Sequence, residues 1–298
     1  SHLKQNQIRQ ILDAVGTLTD VLKLDELAME VDPRTVDRSD LEQYADLGVN
    51  RISFGIQDFD ARVQETINRV QPYEMIESLL LPETRARFSS VNFDLLYGLP
   101  NQTLETLAET VRLTNQLAPD RVTLLKYAHV PEVRKHMKMI ETAELPPQEV
   151  LPAMFAHVTQ EMLEAGYQWI GIDNFAKPDD ALSLAHNKRT NGRNFGGYST
   201  GVADNIIGVG PSSTQIFGNY YFQSINGLKE YFSGVSAGEF PISRGHTLSI
   251  DDMIRRKCIF DLQCNLELVY ADIEAEFDID FSVYFFAELK KLEFLESK

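Results

Sequence analysis

The chain has 298 residues, with 28 Lys plus Arg against 44 Asp plus Glu and a formal net charge of -16. Phosphate backbones are bound through clustered cations, so this acidity argues against free nucleic acid as a partner. With 43% apolar and 10% aromatic residues, most of the chain cannot be disordered, and its length suits two domains or one large α/β unit.

Ser1 to Val15 alternates polar and apolar residues at helical spacing, without a basic leader or an apolar signal core. No apolar run approaches the roughly 18 residues of a membrane span. Cys258 and Cys264 are the only cysteines, too few for a disulfide framework or a four-cysteine metal site, which fits a reducing compartment. The expectation is a cytoplasmic chain with no membrane partner, beginning in mid-structure.

Short runs rich in β-branched and aromatic residues then alternate with longer helical patterns. Glu26 to Val31, Arg51 to Ile56, Val91 to Leu96, Arg121 to Tyr127 and Gln168 to Ile172 read as strands. Asp40 to Leu47, Asp58 to Arg69, Thr103 to Leu117 and Val150 to Ala165 carry apolar positions every three or four residues and read as helices. This is βα alternation. Each strand ends in polar groups: Glu30 and Asp32, then Gln57, Asp94 within the third run, Lys126 and Tyr127, and Asp173. Ligands of parallel α/β folds bind at the carboxyl ends of strands, so five such ends in series point to a site.

Asn191 to Thr214 is glycine-rich and reads as a loop approaching a ligand or crossing the mouth of a barrel. From Leu248 the pattern is mainly helical, with acidic residues at alternate positions from Asp272 to Asp280 that read as a solvated face. The expected division is 1–180 for the βα part, 181–247 for the glycine-rich loop and barrel-closing extension, and 248–298 for a helical C-terminal region.

Gly208 and Gly210 lack the strand, turn and helix context of a dinucleotide fingerprint. His129 follows a strand but has no identifiable partner for acid–base work. The histidines and cysteines show no zinc-ligand spacing, so no metal site is expected from them. Periodicity and spacing reach only as far as a cytosolic α/β enzyme with a polar strand-end site.

The strings MEVDPRT (Met29 to Thr35), GVNRISFGIQDFDARVQETINR (Gly48 to Arg69), NFDLLYGLPNQT (Asn92 to Thr103), APDRVTLLKYAHVPE (Ala118 to Glu132), GYQWIGIDNFAKPDD (Gly166 to Asp180) and RNFGGYST (Arg193 to Thr200) resemble the oxygen-independent coproporphyrinogen III oxidases. The resemblance runs from Ser1 to about Leu292. It implies a partial (β/α)6 radical S-adenosylmethionine barrel, one 4Fe-4S cluster and two S-adenosylmethionine molecules. It further implies oxidative decarboxylation of two propionates of coproporphyrinogen III to vinyls, with a 5′-deoxyadenosyl radical removing hydrogen and an electron donor serving the cluster.

The family's three cluster cysteines and the glycine-rich segment after them do not occur in this chain, and Ser1 aligns just beyond them. The resemblance therefore implies an inactive chain without the first two barrel strands and without the cluster, from a parent that is a monomer. The bare edge of the Glu26 to Val31 strand would then be capped by another chain or by a rearranged segment, or else the missing part would be present but disordered.

By matching motifs, Glu30 and Thr214 are expected at the cluster-bound S-adenosylmethionine, Thr214 standing where the family has an aliphatic residue. Gln57, Arg69, Asp94 and the Ala128 backbone are expected at the second molecule. The substrate carries four propionates, and Lys126, Arg193 and Arg244 are its expected cations, ahead of Arg255 and Arg256. A second reading is a non-catalytic haem or tetrapyrrole carrier on the same scaffold, against which Tyr198 in NFGGYST favours the oxidase.

Overall fold

Alternation of two kinds of side chain builds the first sheet of the computed structural model, which describes residues 3–140 and 144–296. Its helix α1 (Gln5–Gly16) precedes β1 (Ala28–Val31), α2 (Arg38–Asp46), β2 (Arg51–Gln57), α3 (Ala61–Thr66), α4 (Tyr73–Leu79), α5 (Pro82–Arg85) and β3 (Ser90–Tyr97). Then come α6 (Leu104–Leu117), β4 (Arg121–Lys126), α7 (Leu151–Glu164), β5 (Gln168–Ile170) and β6 (Asn174–Ala176). Strands β1 to β4 are parallel and adjacent in sequence order, the arrangement that βα alternation predicts.

One face of these strands is apolar. Ile52, Phe54 and Ile56 of β2, Val91, Phe93 and Leu95 of β3, and Val122 and Leu124 of β4 are wholly or almost wholly buried. They form one core with Leu41 and Tyr44 of α2, Ile76 of α4, Leu107 and Val111 of α6, and Met154, Val158 and Met162 of α7. Each large apolar side chain so buried contributes about 1.5–3 kcal/mol. Phe54 and Phe93 add an edge-to-face contact with centroids 6.3 Å apart. The alternate positions, Arg51, Ser53 and Gly55 on β2, Asn92 and Asp94 on β3, and Arg121 and Thr123 on β4, turn the other way. That second face is polar along its length.

Two expectations change. The fifth strand does not join β4: β5 is the outer strand of a hairpin whose return strand β6 pairs antiparallel with β4, so the sheet order is β1-β2-β3-β4-β6-β5. Asp173 accordingly stands in the hairpin turn, where its carbonyl accepts from the Leu124 amide at 2.7 Å. The helix expected from Asp58 to Arg69 forms only as α3, because the Asp60 side chain caps Val63 N–H at 3.0 Å and Asn68 turns left-handed at φ 52°. The short α4 and α5 went unread.

The chain clusters into two compact units, the first ending at Ser183 and the second starting at Leu184. Helix α8 (Ala181–Asn187) spans that division. The second unit has a hairpin of β7 (Gly192–Asn194) and β8 (Gly197–Ser199). It also has an antiparallel sheet ordered β12-β11-β10-β9, from β9 (Asn205–Ile206), β10 (Thr214–Phe217), β11 (Tyr220–Ser224) and β12 (Ile242–Thr247). Helix α9 (Leu228–Ser236) precedes β12, and α10 (Ile250–Asn265), α11 (Tyr270–Phe277), α12 (Phe281–Tyr284) and α13 (Phe286–Glu296) complete the helical C-terminal region. The glycine-rich stretch from Asn191 thus holds short strands as well as the turns its glycines suggest. Ile254, Cys258, Ile273, Phe281 and Phe285 form the core of the helices.

Candidate active site

The polar face of the first sheet is organised in two tiers. Toward the amino ends of the strands, Arg51 Nε lies 3.0 Å from Glu26, and Arg121 pairs with Asp180 at 2.8 Å and approaches Glu26 at 3.6 Å. Ser90 donates to the same Asp180 at 2.7 Å. These ions neutralise one another.

The next tier is different. Glu30, Ser53, Asn92 and Arg121 are register partners across β1 to β4, and Gly55, Asp94 and Thr123 follow one step on. Asp94 accepts from Ser53 Oγ at 3.1 Å and from Asn92 Nδ2 at 2.8 Å, and Asn92 Nδ2 also reaches Ser53 Oγ at 3.0 Å. Thr123 Oγ1 continues the network to Asn92 Oδ1 at 3.2 Å and to Asn174 Oδ1 at 3.3 Å. Among the described residues, neither Glu30 nor Asp94 forms an ion pair.

Burial pushes the Asp94 carboxyl above the usual range, opposed by the hydrogen bonds it accepts. Glu30 is raised as well, first by burial and then by the Asp94 charge, against hydrogen bonding from Ser53 and the Arg51 charge. The residue as a whole is solvent-accessible, so it is the surrounding wall of protein that thins the water around its carboxylate. Two carboxylates on one polar surface, held by neutral donors alone, suit a cationic or polyhydroxyl ligand.

At the carboxyl end of β2 the chain adds an extra residue. The register with β3 shifts between Gly55 and Gln57, and Gln57 is left-handed at φ 69°. Gln71 Nε2 donates to the Gly55 carbonyl at 2.9 Å. Arg69 Nη2 donates to that carbonyl at 2.9 Å, while its Nε donates to Gln71 Oε1 at 3.2 Å. Asp32 stands 3.9 Å from Arg69 but is gripped by Arg34 at 3.0 and 2.7 Å, which lowers its pKa to about 2. Burial lowers the Arg69 pKa, an effect that Asp32 and Asp94 oppose. Its guanidinium stays charged and only partly neutralised.

Ala128 follows β4 and lines a cavity of about 440 Å³ with Gly98, Lys126, Tyr127 and His129. Lys126 Nζ lies 3.4 Å from Gln148 Oε1. His129 does have a neighbour, the Tyr127 hydroxyl at 3.3 Å.

Of the residues expected at a site, Glu30 and Asp94 are brought together through Ser53, and Gln57 and Arg69 converge over Gly55. Thr214, Arg193 and Arg244 belong to the second unit. Thr214 begins β10, half-buried; Arg193 on β7 lays its guanidinium over the Tyr198 ring at 4.5 Å; Arg244 on β12 donates to Gln223 at 2.7 Å. Ser53, Asn92, Thr123, Asn174 and Gln71 escaped the reading of the sequence. The signal for the first three was the alternation in RISFGIQ, VNFDLL and RVTLLK, where polar residues recur at every second position.

The model of the radical SAM superfamily matches residues 7–114. Oxygen-independent coproporphyrinogen III oxidase of Synechocystis sp. is 39% identical over 289 residues, which are 95% of this chain and 62% of that protein. The protein of the same name from Thermostichus vulcanus is 37% identical over 268 residues, 90% of this chain and 82% of its own length. The solved structure of coproporphyrinogen III oxidase from Escherichia coli, described as a radical SAM enzyme, matches with a TM-score of 0.92 and 36% identity, over 99% of this chain and 68% of that one. The chain spans about three-fifths of the length of most of the curated relatives it matches. With an α/β parallel sheet of this topology and these relatives, the chain belongs to the oxygen-independent coproporphyrinogen III oxidase family of radical SAM enzymes.

Proposed function

We propose that this chain is the part of an oxygen-independent coproporphyrinogen III oxidase that holds S-adenosylmethionine and the porphyrinogen, converting two propionates to vinyls with loss of carbon dioxide in the cytoplasm. The observation that carries the reading is the pair of Glu30 and Asp94, two carboxylates that form no ion pair among the described residues, beside the partly neutralised guanidinium of Arg69. The donor set fits S-adenosylmethionine: a carboxylate for its ammonium or ribose hydroxyls and a guanidinium for its carboxylate. Bound there, it would supply the hydrogen-abstracting chemistry of the reaction.

In this reading Arg69 clamps the carboxylate of the second S-adenosylmethionine, Asp94 and Gln57 accept and donate hydrogen bonds to it, and the Ala128 backbone edges its cavity. Glu30 serves the cluster-bound molecule, and Lys126 offsets the acidic surface for a substrate that carries four carboxylates. The reading is supported by Arg69 being held by backbone and amide oxygens, so that a ligand carboxylate meets a cation already aimed.

The 4Fe-4S cluster, which an electron donor would reduce, is a different matter. Cys258 and Cys264 both lie buried on α10, and burial raises both thiols, that of Cys264 to about 11. Among the described residues no group of three or more His, Cys, Asp or Glu side chains is arranged to hold a metal. These two thiols do not fit a three-thiolate cluster.

The test is anaerobic turnover of coproporphyrinogen III by the full-length enzyme that carries this segment, followed by mass spectrometry of the tetrapyrrole. Loss of two carboxyl groups is the expected product signature. Unchanged substrate, with haem transferred to an acceptor instead, would contradict the reading.

A further inference from the structure

Ser53 stands between the two carboxylates that the preceding reading gives to ligands. It is the register partner of Glu30 on one side and of Asn92 on the other, and its side chain is almost fully buried. Its hydroxyl donates to Asp94 Oδ2 at 3.1 Å and accepts from Asn92 Nδ2 at 3.0 Å, while hydrogen bonding between Ser53 and Glu30 also favours the ionised form of Glu30. A hydroxyl has one proton to give.

We propose that Ser53 is a positioning residue that couples Glu30 to Asp94, its single proton serving one carboxylate at the expense of the other. When a ligand group satisfies Asp94, the hydroxyl turns to Glu30 and strengthens the ionised form there. When Glu30 is satisfied, Asp94 gains in the same way. Occupancy of one ligand position thereby alters the charge state offered at the other, and by linkage the effect is reciprocal.

The surrounding charges leave Ser53 this role. Arg51 on β2 pairs with Glu26 and its charge favours the ionised forms of Glu30 and Asp94 alike, while Arg121 on β4 is held by Asp180 and Glu26. Arg69 is held by the Gly55 carbonyl and Gln71, and Asp32 by Arg34. Asp173 in the β5–β6 turn is bonded by the Asn174 amide at 2.8 Å. Asn92 keeps the Ser53 oxygen satisfied as an acceptor, which leaves its proton as the variable element.

Carbon-13 NMR titration of the side-chain carboxyls in the whole chain tests the coupling without any ligand. Ser53→Ala should raise the midpoints of both Glu30 and Asp94, each by about half to one pH unit, the size of one net hydrogen bond. Glu30→Gln should lower the Asp94 midpoint, and by clearly more with Ser53 present than in the Ser53→Ala background. Ser53→Cys, with a weaker donor of similar size, should shift both midpoints in the same direction by less. Equal Glu30→Gln shifts in the two backgrounds, or a Ser53→Ala effect confined to Asp94, would overturn the proposal, since through-space charge alone would then suffice.

Adding S-adenosylmethionine separates this coupling from the functional reading on which its purpose rests. Engagement of Asp94 should lower the Glu30 midpoint in the wild type by clearly more than in Ser53→Ala, where only through-space charge acts. Coupling without any effect of the ligand supports the role of Ser53 and removes the cofactor reading; binding with no change at Glu30 overturns the coupling.

Discussion

Gly55 and Arg69 are fitted to each other. The guanidinium rests on the Gly55 carbonyl at 2.9 Å, and a Cβ built on Gly55 would come within 2.8 Å of Arg69 Nη2 and 2.7 Å of Gln57 Nε2. Gly55 lies in an extended strand, where alanine is allowed by the backbone, so the constraint is one of space.

Gly55→Ala is therefore expected to displace Arg69 while the apolar face of β2 stays packed. Affinity for S-adenosylmethionine should fall by at least tenfold, and Arg69→Ala should add little in the Gly55→Ala background because both changes remove one interaction. Calorimetric titration of the single and double variants checks this. Fully additive losses would mean that the two residues act separately.

The tier of buried ions near the amino ends of the strands predicts a stability effect. Asp180 and Arg121 are both almost fully buried and pair at 2.8 Å, so Asp180→Ala leaves a buried guanidinium without its closest anion. Such a loss costs about 3–5 kcal/mol. The unfolding free energy from urea denaturation should fall by that amount; a change below about 1 kcal/mol would mean that Glu26 alone satisfies Arg121.

Asp58 predicts a pH dependence. It is fully buried, accepts from Asp60 N–H at 2.6 Å, Gln102 Nε2 at 2.6 Å and Thr110 Oγ1 at 3.0 Å, and burial raises its pKa from 3.8 to about 6. The native state holds this proton more tightly than the unfolded chain, so the contribution is fully present below pH 3.8 and is lost as the pH rises through about 6. The two pKa values differ by about 2 units, worth about 3 kcal/mol. Asp58→Asn should gain stability relative to wild type by about that amount between pH 4 and pH 7 in denaturant unfolding. A flat difference across this range would contradict the burial argument.

The parallel core was legible because its strands carry two independent signals, a β-branched apolar face and a polar residue near each carboxyl end. Glu30, Gln57 and Asp94 could be found that way, while Arg69 lies beyond a helix end and came from matching motifs. The β5–β6 hairpin was hidden because QWIGIDNFA is apolar on both sides of its turn, and a three-residue return strand has too few positions to show a period. The sheet from β9 to β12 was missed for a related reason: glycines dominate its entry, and the half-exposed positions of β10 and β11 blur the alternation. Ser53, Asn92 and Thr123 needed the register, since only pairing across strands makes three small polar residues a network.

The cysteines give a prediction about cofactor content. Two buried thiols on α10 are expected to take up no stoichiometric 4Fe-4S cluster when the chain is reconstituted anaerobically with iron and sulfide, and the chain alone should not cleave S-adenosylmethionine reductively. Absorption near that of a cluster, with four irons and turnover per chain, would overturn this.

Equilibrium binding of S-adenosylmethionine to the chain, compared between wild type, Arg69→Ala and Asp94→Ala, tests the functional account most directly. Each change leaves a charged ligand group without its desolvated partner, at a cost of about 2–5 kcal/mol. The predicted result is saturable binding by the wild type and a loss of roughly 30-fold to several thousandfold in each variant, with circular dichroism unchanged. Equal binding by all three proteins, or none by the wild type, would contradict the account and return Arg69 to a structural cation under Gly55 and Asp94 to a buried strand carboxylate.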